Sequence, residues 1–358
     1  MKKILIGICG IGNGHVNRQI CVIKELLKHN YEILIATQKN KMVILQDVFK
    51  NQKIIEITIP WIVCDNKGLN FKETLKKYDD DDLYKKFLEF GIKIEEELNG
   101  KPNLVISDYE PNVAQYAYAQ QIPLITMEQQ SKFIYLEEIK LKNYSIKEEK
   151  YRIDYFFPKF EKKIISSFFP LSIEEENIIQ VPPIISKLQK GKVDNKMILV
   201  YFSSYSDSEK YSQILKILSN IKSYKFKVYT KNFELYTKKY HSDNIEYSNF
   251  NDDFKNDLSC CYALITTGGH QLISESISIN VPVYVFPLDT YEQNYNAYMV
   301  EKYKLGTNMM ISKENILGFI CNVDEYKKNI KKYKKIYQKN TWEQIFNEII
   351  AKLIDDNE

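Results

Sequence analysis

Apolar residues along this chain fall into two alternating patterns. Short unbroken runs rich in β-branched residues occur as KILIGI (3–8), YEILIAT (31–37), NLVISD (103–108) and IPLITMEQ (122–129). Between them the apolar positions are spaced three and four apart. In HVNRQICVIKELLKHN, for example, Val16, Ile20, Val22, Ile23, Leu26 and Leu27 follow a helical period. KIIEITIP (53–60) predicts another strand and residues 82–98 another helix. Buried strands alternating with helices predict an α/β fold with a mostly parallel sheet covered on both faces.

The pattern fades over 130–180, which is polar, aromatic and charged without a clean period, and VPPIISKLQKGKVDNK (181–196) reads as a linker. It then restarts: MILVYF, KFKVYT, YALITT and VPVYVFP are strand-like and SEKYSQILKILSNI is helical. The tail is basic and helical in DEYKKNIKKYKKIYQK, then amphipathic in WEQIFNEIIAKLI. The expected organisation is a first α/β domain (1–180), the linker (181–196), a second α/β domain (197–340) and a terminal helix (341–358) placed to pack back on the first domain. A length of 358 residues also favours two cores over one.

Charge and composition narrow the class. The formal net charge of +3 is too small to make nucleic-acid binding the default. No window reaches the ~18 apolar residues of a membrane span. MKKILIGI ends in glycines without a cleavage site, so it reads as a first strand rather than a leader. The six cysteines lack metal-ligand spacing and read as free thiols of a cytoplasmic protein. The acidic run at 79–82 reads as a solvated loop, so no metal is expected.

Three stretches carry candidate chemistry. GICGIGNGHVNR (7–18) joins the first strand to the first helix. A dinucleotide site would need an acid ~20 residues later at the end of the second strand; that strand ends IATQKN. The loop instead offers clearance at Gly12 and Gly14 and places His15 at a helix N-terminus. The helix dipole there disfavours imidazolium, so His15 can accept a proton, although a helix-capping histidine fits the same position. SDYEP (107–111) brings Asp108 and Glu110 to the same sheet edge, either to orient the imidazole or as turn and N-cap acids. In the third stretch, Gly268, Gly269 and His270 precede a helix, an arrangement suited to phosphate. Glu275 lies further along that helix, positioned for ribose hydroxyls. Glu292, Gln293 and Asn296 follow in a polar loop suited to sugar hydroxyls.

In this order these residues resemble the donor half of GT-B glycosyltransferases. FNDDFKNDLSCCYALITTGGHQLISE (250–275) is similar to the peptidoglycan lipid-linked N-acetylglucosaminyltransferase, and EQNYNA (292–297) to the UDP-glycosyltransferases. The opening Gly12, Gly14, His15 and Arg18, with SDYEP and TTGGHQLISES, resembles a further microbial group. The resemblance implies two Rossmann-like domains facing across a cleft. It also implies inverting, metal-independent transfer from a nucleotide sugar, UDP-linked, to a glycan, glycolipid or other hydroxyl acceptor. The nucleotide sugar is a co-substrate and no cofactor is implied. By the same resemblance Phe250 and Asn251 meet the nucleobase, Gly268, Gly269 and His270 the diphosphate, Glu275 the ribose, and Glu292 and Gln293 the donor sugar. His15 is the implied base and Asp108 its partner. Ser203 and Ser204, in FSSYSDSE, stand where the family loop is glycine-rich. Two other readings share the fold: a nucleotide-sugar hydrolase or 2-epimerase, and a non-catalytic partner of a membrane glycosyltransferase. The lysine-rich tail would give either a solvated face or attraction to the inner face of an anionic membrane.

Overall fold

The computed structural model describes residues 1–59, 64–65, 68–69, 71–76, 82–136, 146–203, 208–231, 233–250, 253–288, 290–338 and 340–355. Ser204, Asn251 and positions 79–81 of the acidic run lie outside them.

The strands are β1 Lys2–Ile8, β2 Tyr31–Thr37, β3 Lys53–Glu56, β4 Cys64–Asp65, β5 Gly68–Leu69, β6 Leu104–Asp108, β7 Leu124–Glu128, β8 Lys162–Ser166, β9 Ile178–Val181, β10 Asp194–Tyr201, β11 Lys225–Tyr229, β12 Ile245–Ser248, β13 Cys261–Thr266, β14 Val283–Val285 and β15 Gly306–Thr307. The helices are α1 Gly14–Leu26, α2 Lys39–Val48, α3 Phe71–Lys76, α4 Leu83–Leu98, α5 Pro111–Gln120, α6 Lys147–Phe156, α7 Ser208–Ser219, α8 Phe233–Lys239, α9 Asp253–Cys260, α10 His270–Ser278, α11 Tyr291–Lys302, α12 Lys313–Cys321, α13 Val323–Tyr337 and α14 Trp342–Ile350. A 3-10 turn, Gln130–Ile134, follows β7.

Two parallel sheets result, ordered β3-β2-β1-β6-β7-β8-β9 and β12-β11-β10-β13-β14-β15. Each reverses direction beside its first strand, between β1 and β6 and between β10 and β13. In open α/β sheets ligands bind outside the carboxyl ends of the strands at that reversal. The register fixes what meets there. Ile8 pairs with Asp108, so the loop leaving β1 lies beside the last residue of β6. Tyr201 pairs with Thr266, so the loops leaving β10 and β13 are neighbours in the same way.

Alternate residues of each central strand feed opposite cores. Ile4, Ile6 and Ile8 pack under α1, while Leu5 packs with Val113 and Ala117 of α5. Leu199 and Leu264 serve one core of the second sheet, and Ile198, Val200 and Ile265 the other. α14 is capped by Thr341, whose hydroxyl accepts from Gln344 N–H in a capping box. Its Trp342, Phe346, Ile349 and Ile350 enter the core of the first sheet. The Asn347 amide donates to Glu25 Oε1 of α1 at 3.0 Å.

The stretch 130–180 contains more regular structure than its pattern predicts. β8 and β9 carry only two and three apolar residues, too few to stand out as apolar runs, and they widen the first sheet to seven strands. Phe133, Phe168 and Phe169 from this stretch join the core of the second sheet, which joins the two halves. On α13, Lys327 sits over the Tyr262 ring and Lys334 donates to Ser278 O, whereas Lys328, Lys331, Lys332 and Lys335 are exposed. Among the described residues no helix is long and apolar enough to cross a membrane.

Candidate active site

The loop from β1 to α1 turns at Gly12, whose φ of +64° is left-handed and whose missing Cβ faces open space. That turn delivers His15 to the first turn of α1, buried at 7% exposure. Its Nδ1 lies 2.7 Å from Asp108 Oδ1. Arg18, one helical turn on, donates to the same carboxylate through Nε at 2.9 Å and Nη2 at 2.6 Å, and Gln19 Nε2 adds a fourth bond at 2.9 Å. A carboxylate offers about four lone-pair sites, and here all four are used. Burial alone would raise the Asp108 carboxyl, but Arg18 and His15 outweigh it and hold the group below its ordinary range.

This geometry selects the imidazole tautomer. A short contact between Nδ1 and an ionised oxygen requires a proton on Nδ1. Arg18 Nη2, 3.1 Å from the same nitrogen, could donate only to an unprotonated Nδ1, and that would set two lone pairs against each other across the 2.7 Å contact with Asp108. The lone pair is therefore on Nε2, which accepts a long bond of 3.3 Å from the Gln130 amide. Gln130 is oriented in turn by accepting from Gln129 N–H.

Asp108 and Glu110 are two residues apart but point to different neighbours. Between them Tyr109 adopts φ +54°, a left-handed conformation that costs a non-glycine residue about 1–2 kcal/mol. The kink sends Glu110 to the start of α5, where it accepts from Val113 N–H at 3.0 Å and from Asn112 Nδ2 at 2.9 Å. Glu110 is thus an N-cap with no bond to His15, and burial pushes its carboxyl up to about 7. The Tyr109 ring stacks 6.1 Å from His15, and its hydroxyl donates to Glu149, which pairs with Arg152.

The second half places its residues around the loop after β13. Gly268 is squeezed against α11: a Cβ there would lie 2.3 Å from Gln293 O. Its N–H donates to Gln293 Oε1, which also accepts from Leu288 N–H. The Gly268 amide is therefore already committed, and the Gln293 oxygen braces the loop. Asn296 is likewise structural. It is fully buried, donates to Gly268 O at 2.8 Å and accepts from Lys132 Nζ at 3.3 Å. Gly269 faces open space.

His270, the first residue of α10, is 3% exposed, and neither ring nitrogen has a hydrogen-bond partner among the described residues. Burial first, then the nearby cations Lys132 and Arg18, depress its basicity well below the usual histidine range. Glu275, a turn and a half on, is buried and its carboxyl raised by desolvation, with Gln271 donating to it at 3.3 Å. Phe250 stands in an aromatic cluster with Tyr201, Tyr229 and Phe254. Ser203 Oγ lies 3.4 Å from the Tyr211 hydroxyl.

The two loops meet across the cleft. Gly14 lies against Gln271, with 3.8 Å from its Cβ position to the Gln271 Cβ. Gln129 donates to Glu292 Oε1 at 2.8 Å, and Lys132 bonds both Gln129 and Asn296. Arg18 has a signal in the sequence, since its spacing of three from His15 puts both on one helix face. Gln129, Gln130 and Lys132 do not: Gln129 is the last residue of the run 122–129, the other two lie in the stretch without a period, and only the position of β7 beside β6 brings them to the site. Among the described residues no group of three or more His, Cys, Asp or Glu side chains could hold a metal ion.

This arrangement is a cleft with a carboxylate-oriented imidazole on one wall and, on the other, a helix N-terminus with a buried, unpartnered histidine. The sequence model of glycosyl transferase family 1 matches residues 2–324. No curated protein matches the chain. Solved structures do. UGT89C1 of Arabidopsis thaliana, complexed with UDP-L-rhamnose, is 12% identical at a TM-score of 0.71, covering 98% of this chain and 99% of that one. The calicheamicin glycosyltransferase CalG4 is 13% identical at 0.67, covering 99% and 98%. MurG of Acinetobacter baumannii is 15% identical at 0.65, covering 98% and 100%. These likenesses establish the GT-B fold, and with the family match the chain belongs to glycosyl transferase family 1.

Proposed function

We propose that the protein is an inverting, metal-independent glycosyltransferase that moves a sugar from a UDP-sugar to a hydroxyl acceptor. The observation that carries this reading is the pairing, across one cleft, of His15 held by Asp108 with His270 left unpartnered at the start of α10. The neighbour that holds UDP-L-rhamnose supports the choice of donor class.

In this reading the acceptor hydroxyl displaces Gln130 from His15 Nε2 and gives up its proton there as its oxygen bonds the anomeric carbon. The bond from that carbon to the β-phosphate oxygen breaks in the same step, so one displacement inverts the centre. Asp108 stabilises the imidazolium that forms. The departing diphosphate gains charge where the α10 dipole and His270 can meet it, and no metal or cofactor takes part. Gly12 and Gly269 leave room for the ligands, Glu275 takes the ribose, and Glu292 turns from Gln129 to the donor sugar.

The test is a thermal-shift screen with UDP-, GDP-, TDP- and CMP-sugars. A donor at about 100 times its Kd adds about 2.7 kcal/mol of stability. Stabilisation by UDP-sugars is the expected result, and silence from all four classes would overturn the reading. A hydrolase would release UDP from the donor without an acceptor, whereas the transferase needs one. The exposed lysines of α13 add attraction to anionic lipid. Co-sedimentation with anionic vesicles should be lost on replacing Lys328, Lys331, Lys332 and Lys335 by Gln, and retention would remove this element.

A further inference from the structure

Lys132 is fully buried, and its ammonium bonds two neutral amides, Gln129 Oε1 and Asn296 Oδ1. Among the described residues no carboxylate lies within ion-pair distance of it. Its remaining surroundings are the rings of Phe133 and Phe169, 5.1 and 5.5 Å from Nζ. Glu292, Glu128 and Glu149 attract it from further off, and Arg18 repels it. Each of these charges already has its own partner. Glu292 accepts from Gln129, Glu128 from Ser131, Glu149 from Tyr109, and Arg18 is spent on Asp108. A buried cation left with amides is costly unless an anion joins it.

What Lys132 faces on the other wall indicates that anion. Asn296 ties its ammonium to Gly268 O, one residue before the open space at Gly269. Two residues on, both ring nitrogens of His270 are unpartnered, and Lys132 is close enough to depress that imidazole. The N-termini of α1 and α10 lie against each other, Gly14 on Gln271, which adds two dipoles of the same sign. An unpaired cation, an unpartnered imidazole, two helix N-termini and an open glycine make a site short of one multiply charged anion.

We propose that Lys132, supplied by the first half of the chain, is a catalytic residue that contacts the donor's diphosphate, which is otherwise held by the second half. Donor binding then draws both walls together. As the anomeric carbon's bond to the β-phosphate oxygen breaks, the charge left on that oxygen develops beside an ammonium already in place. The inference rests on the nucleotide-sugar reading of this cleft and adds the group that recognises the phosphate from the opposite wall.

The test is calorimetric titration of UDP and of uridine into the full chain and into Lys132→Gln and Lys132→Met. Uridine carries the base and ribose without the phosphates, so it separates a charge contact from a general disturbance. UDP should bind both variants about tenfold or more weakly, as expected for a lost charge-assisted bond, while uridine binds unchanged. Equal weakening of UDP and uridine would make Lys132 a structural strut, and undiminished UDP binding would remove it from the site; either overturns the inference alone. Failure of UDP to bind the wild-type protein would instead overturn the nucleotide-sugar reading, and this inference with it.

Discussion

His15 and His270 each stand in the first turn of a helix at the point where the strand order of a sheet reverses, His15 after β1 and His270 after β13, whose counterpart in the first sheet is β6. Their surroundings are opposite. His15 is held at both nitrogens, by Asp108 and by Gln130, within a cluster that fills every acceptor site of one carboxylate. His270 is as deeply buried and its ring nitrogens have no hydrogen-bond partner among the described residues. The difference assigns the work: an imidazole fixed in one tautomer is suited to moving a proton, whereas one buried without partners is poised for a ligand. A fold that repeats its frame in two halves thus separates proton chemistry from donor binding by what it packs around the histidine at each reversal.

The contrast can be broken most severely at Asp108. Asp108→Asn removes the acceptor that fixes the Nδ1–H tautomer and strands the buried Arg18 guanidinium. Turnover should fall by about 10⁴-fold, and stability by about 3–5 kcal/mol. Steady-state rates and denaturant melts check the two effects separately. Activity near wild type would show that His15 does not depend on this carboxylate.

The next effect separates the two acids of the SDYEP loop. Glu110 is harder to ionise folded than unfolded, since burial lifts it from 4.5 to about 7. The folded state therefore holds the extra proton between those values, and stability is lost as pH rises through that window. Glu110→Gln should flatten this loss and make the variant more stable at pH 8 by something on the order of 3 kcal/mol, with no gain at pH 4.5. Melts at the two pH values read it out. An unchanged pH slope would mean that Glu110 is ionised in the fold at no cost.

The smallest effect sharpens the contrast from the other side. His270→Leu removes two buried nitrogens that have no hydrogen-bond partner among the described residues. The unliganded variant should be more stable by about 1–3 kcal/mol and bind UDP more weakly by about tenfold or more. Thermal melts with and without UDP give both numbers. A less stable unliganded variant would show that the imidazole has a structural role.

Much of this was legible in the sequence because each apolar strand and the loop that leaves it are contiguous in the chain. KILIGI, NLVISD and YALITT are continuous apolar runs, and the glycine-rich turns and acids beside them fall at strand ends that can be counted along the chain. The strands β8 and β9 were not legible, since they carry only two and three apolar residues. Nor were Gln129, Gln130 and Lys132, whose place in the site depends on strand order. The sequence-level similarity also could not separate contact from support. Gln293 and Asn296 sit in a segment suited to sugar hydroxyls, yet their side chains brace the Gly268 loop. Glu110 is close in sequence to the site and far from its chemistry because one left-handed residue, Tyr109, turns it away.

The central claim is that the two histidines divide the reaction. It is tested most directly by measuring UDP-sugar affinity and UDP release side by side in His15→Ala and His270→Ala. The account predicts that His15→Ala keeps the donor affinity of wild type while UDP release falls by about 10²–10⁴-fold, and that His270→Ala loses donor affinity by about tenfold or more. Undiminished UDP release from His15→Ala, or undiminished donor binding by His270→Ala, would contradict it.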